Sequence, residues 1–178
     1  MLPRNGNQLG RNVPGTTYAC APGGPNDYVV IYAQPQMWKA LMKTMRQPEL
    51  ADDPRFATPD ARWENRDALN AIIEAWTCRH SKHEVMRLLG EAGVPCGATL
   101  DTGEVLADPH LRQREMIVDV EYPTRGTYQT VGCPMKLSDS PAEVTRPPLL
   151  GEHTAEVLAA LCGVTADEVQ RLRSLGVV

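Results

Sequence analysis

Residues 81–111, SKHEVMRLLGEAGVPCGATLDTGEVLADPHL, hold three helix starts separated by one short apolar run, and their reading decides the fold. Ser81 with Glu84 three positions later is a capping box, in which hydroxyl and carboxylate each satisfy a free N–H of a first turn. Val85, Leu88, Leu89 and Ala92 recur at helical spacing and give that helix one buried stripe. Gly93 then offers a left-handed terminator, and Pro95 forbids continuation. The run Val94-Pro95-Cys96-Gly97-Ala98 reads as a buried, extended strand. Asp101 with Glu104 is a second reciprocal cap, opening a short helix through Val105 and Leu106. Asp108-Pro109 is a third start, with proline at the first helical position, where its missing N–H does no harm. The pattern predicts a compact α/β unit.

Toward the N-terminus, residues 27–33 (DYVVIYA) are rich in β-branched and aromatic side chains and predict a strand buried on both faces. Residues 36–46 carry Trp38, Leu41, Met42 and Met45 at spacings of three and four, an amphipathic helix. Residues 50–57 are polar and broken by proline. Thr58-Pro59 opens a further helix whose stripe is Leu69, Ile72, Ile73 and Trp76, and Asp60, Arg62, Glu64, Arg66 and Asp67 populate its expected solvated face. Residues 1–24 show no period and are rich in glycine, proline and asparagine, so they read as a loop or linker. Such a segment is either a disordered terminus or a glycine-bearing loop laid over an active site.

Toward the C-terminus, residues 117–122 (IVDVEY) alternate apolar and charged side chains as a half-buried strand does. Residues 123–126 have turn chemistry and residues 127–131 read as the second strand of a hairpin. A long, proline-bearing connection follows over 132–148. Two helices finish the chain, 152–162 stopped by Gly163, and 167–175 opened by Thr165 with Glu168 and stopped by Gly176. Their stripes, Val157, Leu158 and Leu161 on one and Val169, Leu172 and Leu175 on the other, are narrow. They are expected to pack against something outside this chain.

Composition narrows the function classes. With 178 residues, 42% apolar and 22% charged, the chain predicts a folded protein of one or two domains. No apolar run is long enough for a membrane span and no signal peptide is evident, so a cytoplasmic protein is expected. A net charge of −4 without a Lys/Arg run argues against nucleic acid as a partner. Cys20, Cys78, Cys96, Cys133 and Cys162 are odd in number and never in a C-x-x-C pair, which suggests neither a disulfide framework nor a zinc site. The G-x-S-x-G, P-loop, G-x-G-x-x-G and H-E-x-x-H signatures do not occur. His80, His83, His110 and His153 have no ligand partners at metal spacing and read as surface or capping residues. Cys96 reads as a small buried apolar residue in preference to a nucleophile paired with a distant histidine. From the residues alone no catalytic group and no metal ligand is identified.

Several stretches together resemble a known family. They are Pro3-Arg4-x-Gly6-Asn7, Asp27-Tyr28-Val29-Val30-Ile31-Tyr32, Ala92-Gly93-Val94-Pro95-Cys96-Gly97 with Leu100-Asp101, and Asp108-Pro109-His110-Leu111. Arg125-Gly126, Thr130-Val131-Gly132-Cys133-Pro134-Met135-Lys136 and Pro148-Leu149-Leu150-Gly151-Glu152-His153-Thr154 complete the set. In this order they resemble the class III CoA-transferases, a group that includes formyl-CoA:oxalate and carnitine CoA-transferases and α-methylacyl-CoA racemases. The TVGCPMK and PLLGEHT stretches look most like the formyl-CoA transferase branch.

The resemblance implies a subunit longer than this chain. Its large Rossmann-like domain comes mainly from an N-terminal half, a smaller α/β domain (α+β in detail) follows, and a C-terminal helical segment returns to the large domain. On that mapping residues 1–26 are a linker with a substrate loop, 27–126 the small domain and 127–178 the returning segment, and complete subunits interlock as a homodimer. The implied reaction moves CoA from an acyl-CoA to a free carboxylate through an aspartate nucleophile, by way of a mixed anhydride and an aspartyl-CoA thioester. That aspartate belongs to the N-terminal half and so lies outside this chain. Coenzyme A enters as a thioester substrate, and no prosthetic group is implied. Implied partners are the acyl-CoA, the carboxylate, and a missing N-terminal half or a full-length homologue.

The implied substrate loop follows the Gly-Asn pair and comprises Gly6, Asn7, Gly10, Arg11 and Asn12. Where the formyl-CoA branch has a run of glycines, this chain has Gln8-Leu9-Gly10-Arg11-Asn12-Val13, a bulkier and partly cationic loop that would favour another acyl group and pair with a carboxylate through Arg11. The competing readings are a non-catalytic interaction module, the C-terminal part of a racemase-like enzyme, and a thiol hydrolase using Cys96.

Overall fold

The computed structural model describes residues 6–178, which fall into two units divided between Glu104 and Val105. Pro3 and Arg4, the start of the first family-like stretch, lie outside the described residues.

In the first unit, β1 (Gly15–Ala19), β2 (Tyr28–Tyr32) and β3 (Cys96–Ala98) form an antiparallel sheet with β2 in the middle. Gly15 pairs with Tyr32 and Ala19 with Tyr28 on one side of β2, and Val29 pairs with Ala98 and Ile31 with Cys96 on the other. Both ladders being antiparallel, the unit is α+β. The opening segment expected to be loop or linker thus supplies an edge strand, with Tyr18 sealed in the core and its hydroxyl 2.7 Å from Asn70 Oδ1. β2 also departs from expectation. Val29 and Ile31 are fully buried while Tyr28 and Tyr32 are more than a third exposed, so only one face of the strand is covered.

The covering helices are α1 (Trp38–Thr44), α2 (Pro59–Glu64), α3 (Arg66–Thr77) and α4 (Lys82–Glu91). Thr58 Oγ1 accepts from the amide of Ala61, and the single helix expected after it is interrupted at Asn65. The helical stripes meet over the sheet, sealing Leu41, Met42, Leu69, Ile73, Val85 and Leu89 with Val29 and Ile31. Each such side chain contributes roughly 1.5–3 kcal/mol relative to exposure. Phe56, the chain's one phenylalanine, is also fully buried although its segment reads as polar.

Two charged residues are buried, the first of them against expectation. Arg62, assigned from its charge run to a solvated face, is 4% exposed. Its guanidinium donates from Nε to Val13 O at 3.2 Å and from Nη1 to Phe56 O at 2.8 Å, and it lies 4.8 Å from the Trp38 ring centre. Lys82, in the first turn of α4, uses all three ammonium donors, on Asn26 O (3.1 Å), Thr99 O (2.8 Å) and Glu104 Oε2 (2.7 Å). Of the expected boxes, Ser81–Glu84 shows its hydroxyl half among the described residues, Ser81 Oγ accepting from Glu84 N, whereas Asp101 and Glu104 are fully reciprocal, each accepting from the other's backbone amide at 2.8 Å. The latter pair opens α5 (Thr102–Ala107), which runs across the division between the units.

The second unit continues with α6 (Pro109–Gln113), capped by Asp108 Oδ1 on the Leu111 amide at 2.9 Å. β4 (Ile117–Tyr122) and β5 (Gly126–Val131) pair antiparallel as the expected hairpin, Ile117 opposite Val131. Gly132 closes it, because a Cβ there would stand 1.9 Å from the Glu115 carbonyl oxygen. The connection 132–153 is held by a two-armed ion pair between Arg146 and Glu152, whose carboxylate also accepts from Leu149 N at 2.7 Å. With Glu152 so engaged, α7 begins at Thr154 and not at 152 (Thr154–Cys162), and α8 (Ala166–Ser174) follows a Thr165 cap. Only Ile117, Val120 and Val169 are buried hydrophobics here, whereas Val131, Leu150, Leu161 and Leu175 are largely exposed.

Candidate functional site

The loop of residues 6–13 is joined to the first unit at its base and free at its tip. Leu9 N donates to Gly15 O at 2.7 Å, and the Asn12 amide donates at 3.0 Å both to Pro14 O and to Ala33 O beyond the end of β2. One side chain therefore ties the loop to the sheet. Gly15 is required beneath it, since a Cβ would lie 2.5 Å from the Asn12 carbonyl oxygen. Gly10 is required for another reason: its φ of +68° is left-handed, although no atom would obstruct a side chain. Gly6, Asn7 and Gly10 are exposed.

Arg11 turns toward α2, its Nη2 3.7 Å from Asp60 Oδ1 and its guanidinium carbon 5.4 Å from the Trp63 ring centre. Both charged side chains are at least 70% exposed, so the pair is worth at most about 1 kcal/mol and leaves Arg11 free to exchange partners. Among the described residues no hydrogen bond joins the side chains of Asn7, Arg11 and Asn12 to one another. The structure thus sets Arg11 and Asn12 on one loop with different anchors. Gln8 Oε1 is sealed from solvent and has no hydrogen-bond partner among the described residues. Arg62 is the residue that sequence reasoning missed. By holding the Val13 carbonyl it pins the loop's C-terminal end to α2, and its acceptor is backbone, which no residue pattern reveals.

The remaining candidates are structural. Cys96 Sγ lies 3.6 Å from Met86 O, and burial pushes the thiol's pKa up, opposite to what a nucleophile needs. His80 Nδ1 is 3.0 Å from Trp76 O at the end of α3, its ring 4.8 Å from the Trp76 ring. His83 Nε2 and His153 Nδ1 approach Glu104 and Glu156 at 3.4 and 3.1 Å. The Lys82 ammonium, then the Asp101 amide, hold the Glu104 carboxyl down at about 2. Among the described residues no group of three His, Cys, Asp or Glu side chains is placed to hold a metal ion, and no helix is long and apolar enough to cross a membrane.

Comparison with known proteins gives a consistent result. The chain is 47% identical over 177 residues to a formyl-CoA:oxalate CoA-transferase of Streptomyces avermitilis and 46% identical to one of Streptomyces coelicolor, covering 99% of itself and 43% of each relative. It thus spans less than half the length of these relatives. Among solved structures, a CAIB/BAIF family protein from Brucella suis superposes with a TM-score of 0.74 at 31% identity, over 89% of this chain and 40% of that one. A Mycobacterium tuberculosis protein superposes with a TM-score of 0.68 at 26% identity, over 81% of this chain and 40% of that one. The model of CoA-transferase family III matches residues 1–154. On that match, and on relatives nearly half identical over its whole length, the chain belongs to CoA-transferase family III.

Proposed function

We propose that this chain supplies the small domain, substrate loop and closing helices of an acyl-CoA:carboxylate CoA-transferase of the formyl-CoA transferase type. The reactive aspartate, which carries first the acyl group as an anhydride and then CoA as a thioester, is contributed by the N-terminal portion of the complete enzyme. The observation that carries this reading is identity of 47% along 99% of the chain to a formyl-CoA:oxalate CoA-transferase of which it covers 43%. The uncovered Leu150, Leu161 and Leu175 support it, since a returning segment would bury them on the large domain.

In this reading loop 6–13 closes over the reactive centre, hinged at left-handed Gly6 and Gly10 and held at its base by Asn12. Arg11 leaves Asp60 to meet the acceptor carboxylate, a charge-assisted contact stronger than the exposed pair it replaces. The test is to combine the chain with the N-terminal portion of a relative and follow CoA transfer from a panel of acyl-CoA donors, formyl-CoA among them, to a panel of carboxylates that includes oxalate. Transfer is expected only in the mixture. Activity of this chain alone would sink the proposal, and a stable complex without transfer would favour a non-catalytic interaction module.

A further inference from the structure

The cavity beside α2 is lined by a buried guanidinium that makes no ion pair among the described residues. It has a volume of about 480 Å³ and is lined by Trp38, Lys39, Ala51, Asp52, Pro59 and Arg62, among others. That volume falls within the roughly 300–1,000 Å³ range usual for small-molecule sites. At the rim Lys39 and Asp52 lie 3.9 Å apart, both about four-fifths exposed, and cancel one another. Asp60, next to the lining residue Pro59, is 90% exposed, lies 3.7 Å from Arg11 and makes no ion pair with Arg62 among the described residues. Arg62 is left. It is 4% exposed, makes no ion pair among the described residues, and residues 1–5 contain no acidic side chain that could supply one.

Its partners are two backbone carbonyls and the face of Trp38, none of which carries a full negative charge. A buried guanidinium that remains cationic in proteins is costly without a counter-ion. Nε and one N–H of Nη1 are occupied, while Nη2 has no hydrogen-bond partner among the described residues. Besides Arg62, the lining mixes polar Lys39, Asp52 and Gln36 with the apolar surfaces of Trp38, Ala51, Ala57 and prolines. With Lys39 and Asp52 paired at the rim, one guanidinium without an ion pair beside the Trp38 ring suits a monoanion with a small apolar body better than a multiply charged phosphate.

We infer that the cavity between α1 and α2 is a binding site for a small monocarboxylate, whose oxygens accept from Arg62 Nη2 and whose apolar body rests on Trp38 and Ala57. The site needs neither CoA nor a nucleophile, so it stands apart from the transferase reading. It also reaches the substrate loop, because the guanidinium that would take the carboxylate already holds the Val13 carbonyl. Occupancy is therefore coupled to the anchoring of residues 6–13.

The test uses the 178-residue chain labelled with 15N-arginine and 15N-tryptophan. Arginine side-chain and Trp38 indole resonances are followed during titration with sodium benzoate, sodium acetate, sodium phosphate and sodium chloride at matched ionic strength. Benzoate is expected to shift Arg62 and Trp38 saturably with Kd of about 1 mM, and acetate to bind roughly tenfold more weakly, for want of the apolar body. Phosphate should do no more than chloride. Ala57→Leu, which fills the cavity and leaves Arg62 in place, should abolish the benzoate response while Arg62 keeps its resonances; Arg62→Lys should weaken it at least tenfold. Equal shifts in all four salts, a response confined to Arg11, or a benzoate response surviving Ala57→Leu would overturn the proposal. So would loss of benzoate binding when the N-terminal portion of a relative is added and shifts Arg62 by itself, since the counter-charge would then be a protein carboxylate.

Discussion

The two units obey the same local rules and reach different ends. In residues 6–104 every amphipathic stripe finds a partner, with Leu41, Leu69, Ile73, Val85 and Leu89 sealed over Val29 and Ile31. In residues 105–178 the helices are capped as well or better, Thr165 at one start and left-handed Gly163 at one end, yet Leu161 and Leu175 are 80% and 61% exposed. Caps and propensities decide where a helix begins and ends; they do not decide whether its apolar face is covered. Local order and tertiary closure are separable: capped helices occur in both units, closed apolar stripes in the first.

The comparison can be broken most forcefully by deleting core volume. Ile73→Ala should cost about 2–5 kcal/mol of the first unit's stability, measured by urea denaturation with the fluorescence of Trp38 and Trp76 as probe. A loss below about 0.5 kcal/mol would mean that the first unit is no better closed than the second. Arg62→Met ranks next, at about 2–3 kcal/mol, because it removes two charge-assisted hydrogen bonds while relieving a buried charge. It should also release Val13, seen as faster amide exchange at Leu9 and Gly15, which a purely packing role would leave slow.

A pH dependence should sharpen the contrast. Glu104 has its folded pKa depressed to about 2 by Lys82 and the Asp101 amide, so its contribution is present above the unfolded carboxylate pKa of about 4.5 and is lost as pH falls toward 2. The urea midpoint of the first unit should drop between pH 5 and pH 3, and drop less in Glu104→Gln. Equal pH profiles for the two proteins would remove Lys82–Glu104 from the account. The smallest effect belongs to the second unit: Leu161→Ser should change stability by less than about 0.5 kcal/mol in the chain alone, its side chain being 80% exposed. Under the proposed function the same variant should weaken association with the N-terminal portion of a relative, read by titration of one on the other.

What was legible in the sequence follows the same division. Ser81, the Asp101 and Glu104 pair, Asp108 and Thr165 are local devices acting over three residues, and each is found capping its helix. The hairpin over 117–131 was legible because alternation and turn chemistry lie side by side. β1 was not, since GTTYA has little alternation and becomes a strand only by pairing with residues 28–32 beyond an intervening turn. Arg62 reads as solvated because charged residues usually are, and nothing in the sequence marks Lys82 as buried; their acceptors, the carbonyls of Val13, Phe56, Asn26 and Thr99, are anonymous in sequence. Phe56 was hidden by polar neighbours for the same reason. Of the loop residues, Gly10 and Asn12 have visible conformational work, while Arg11's role depends on a ligand.

Lys82 also has a chemical consequence. An amine is acylated through its free lone pair, and an ammonium whose three protons are all committed inside the fold presents none. Exposed Lys39 and Lys43 should therefore take up an amine-reactive acyl donor long before Lys82 does. The lag before Lys82 is labelled would time how often the beginning of α4 lifts away from the sheet.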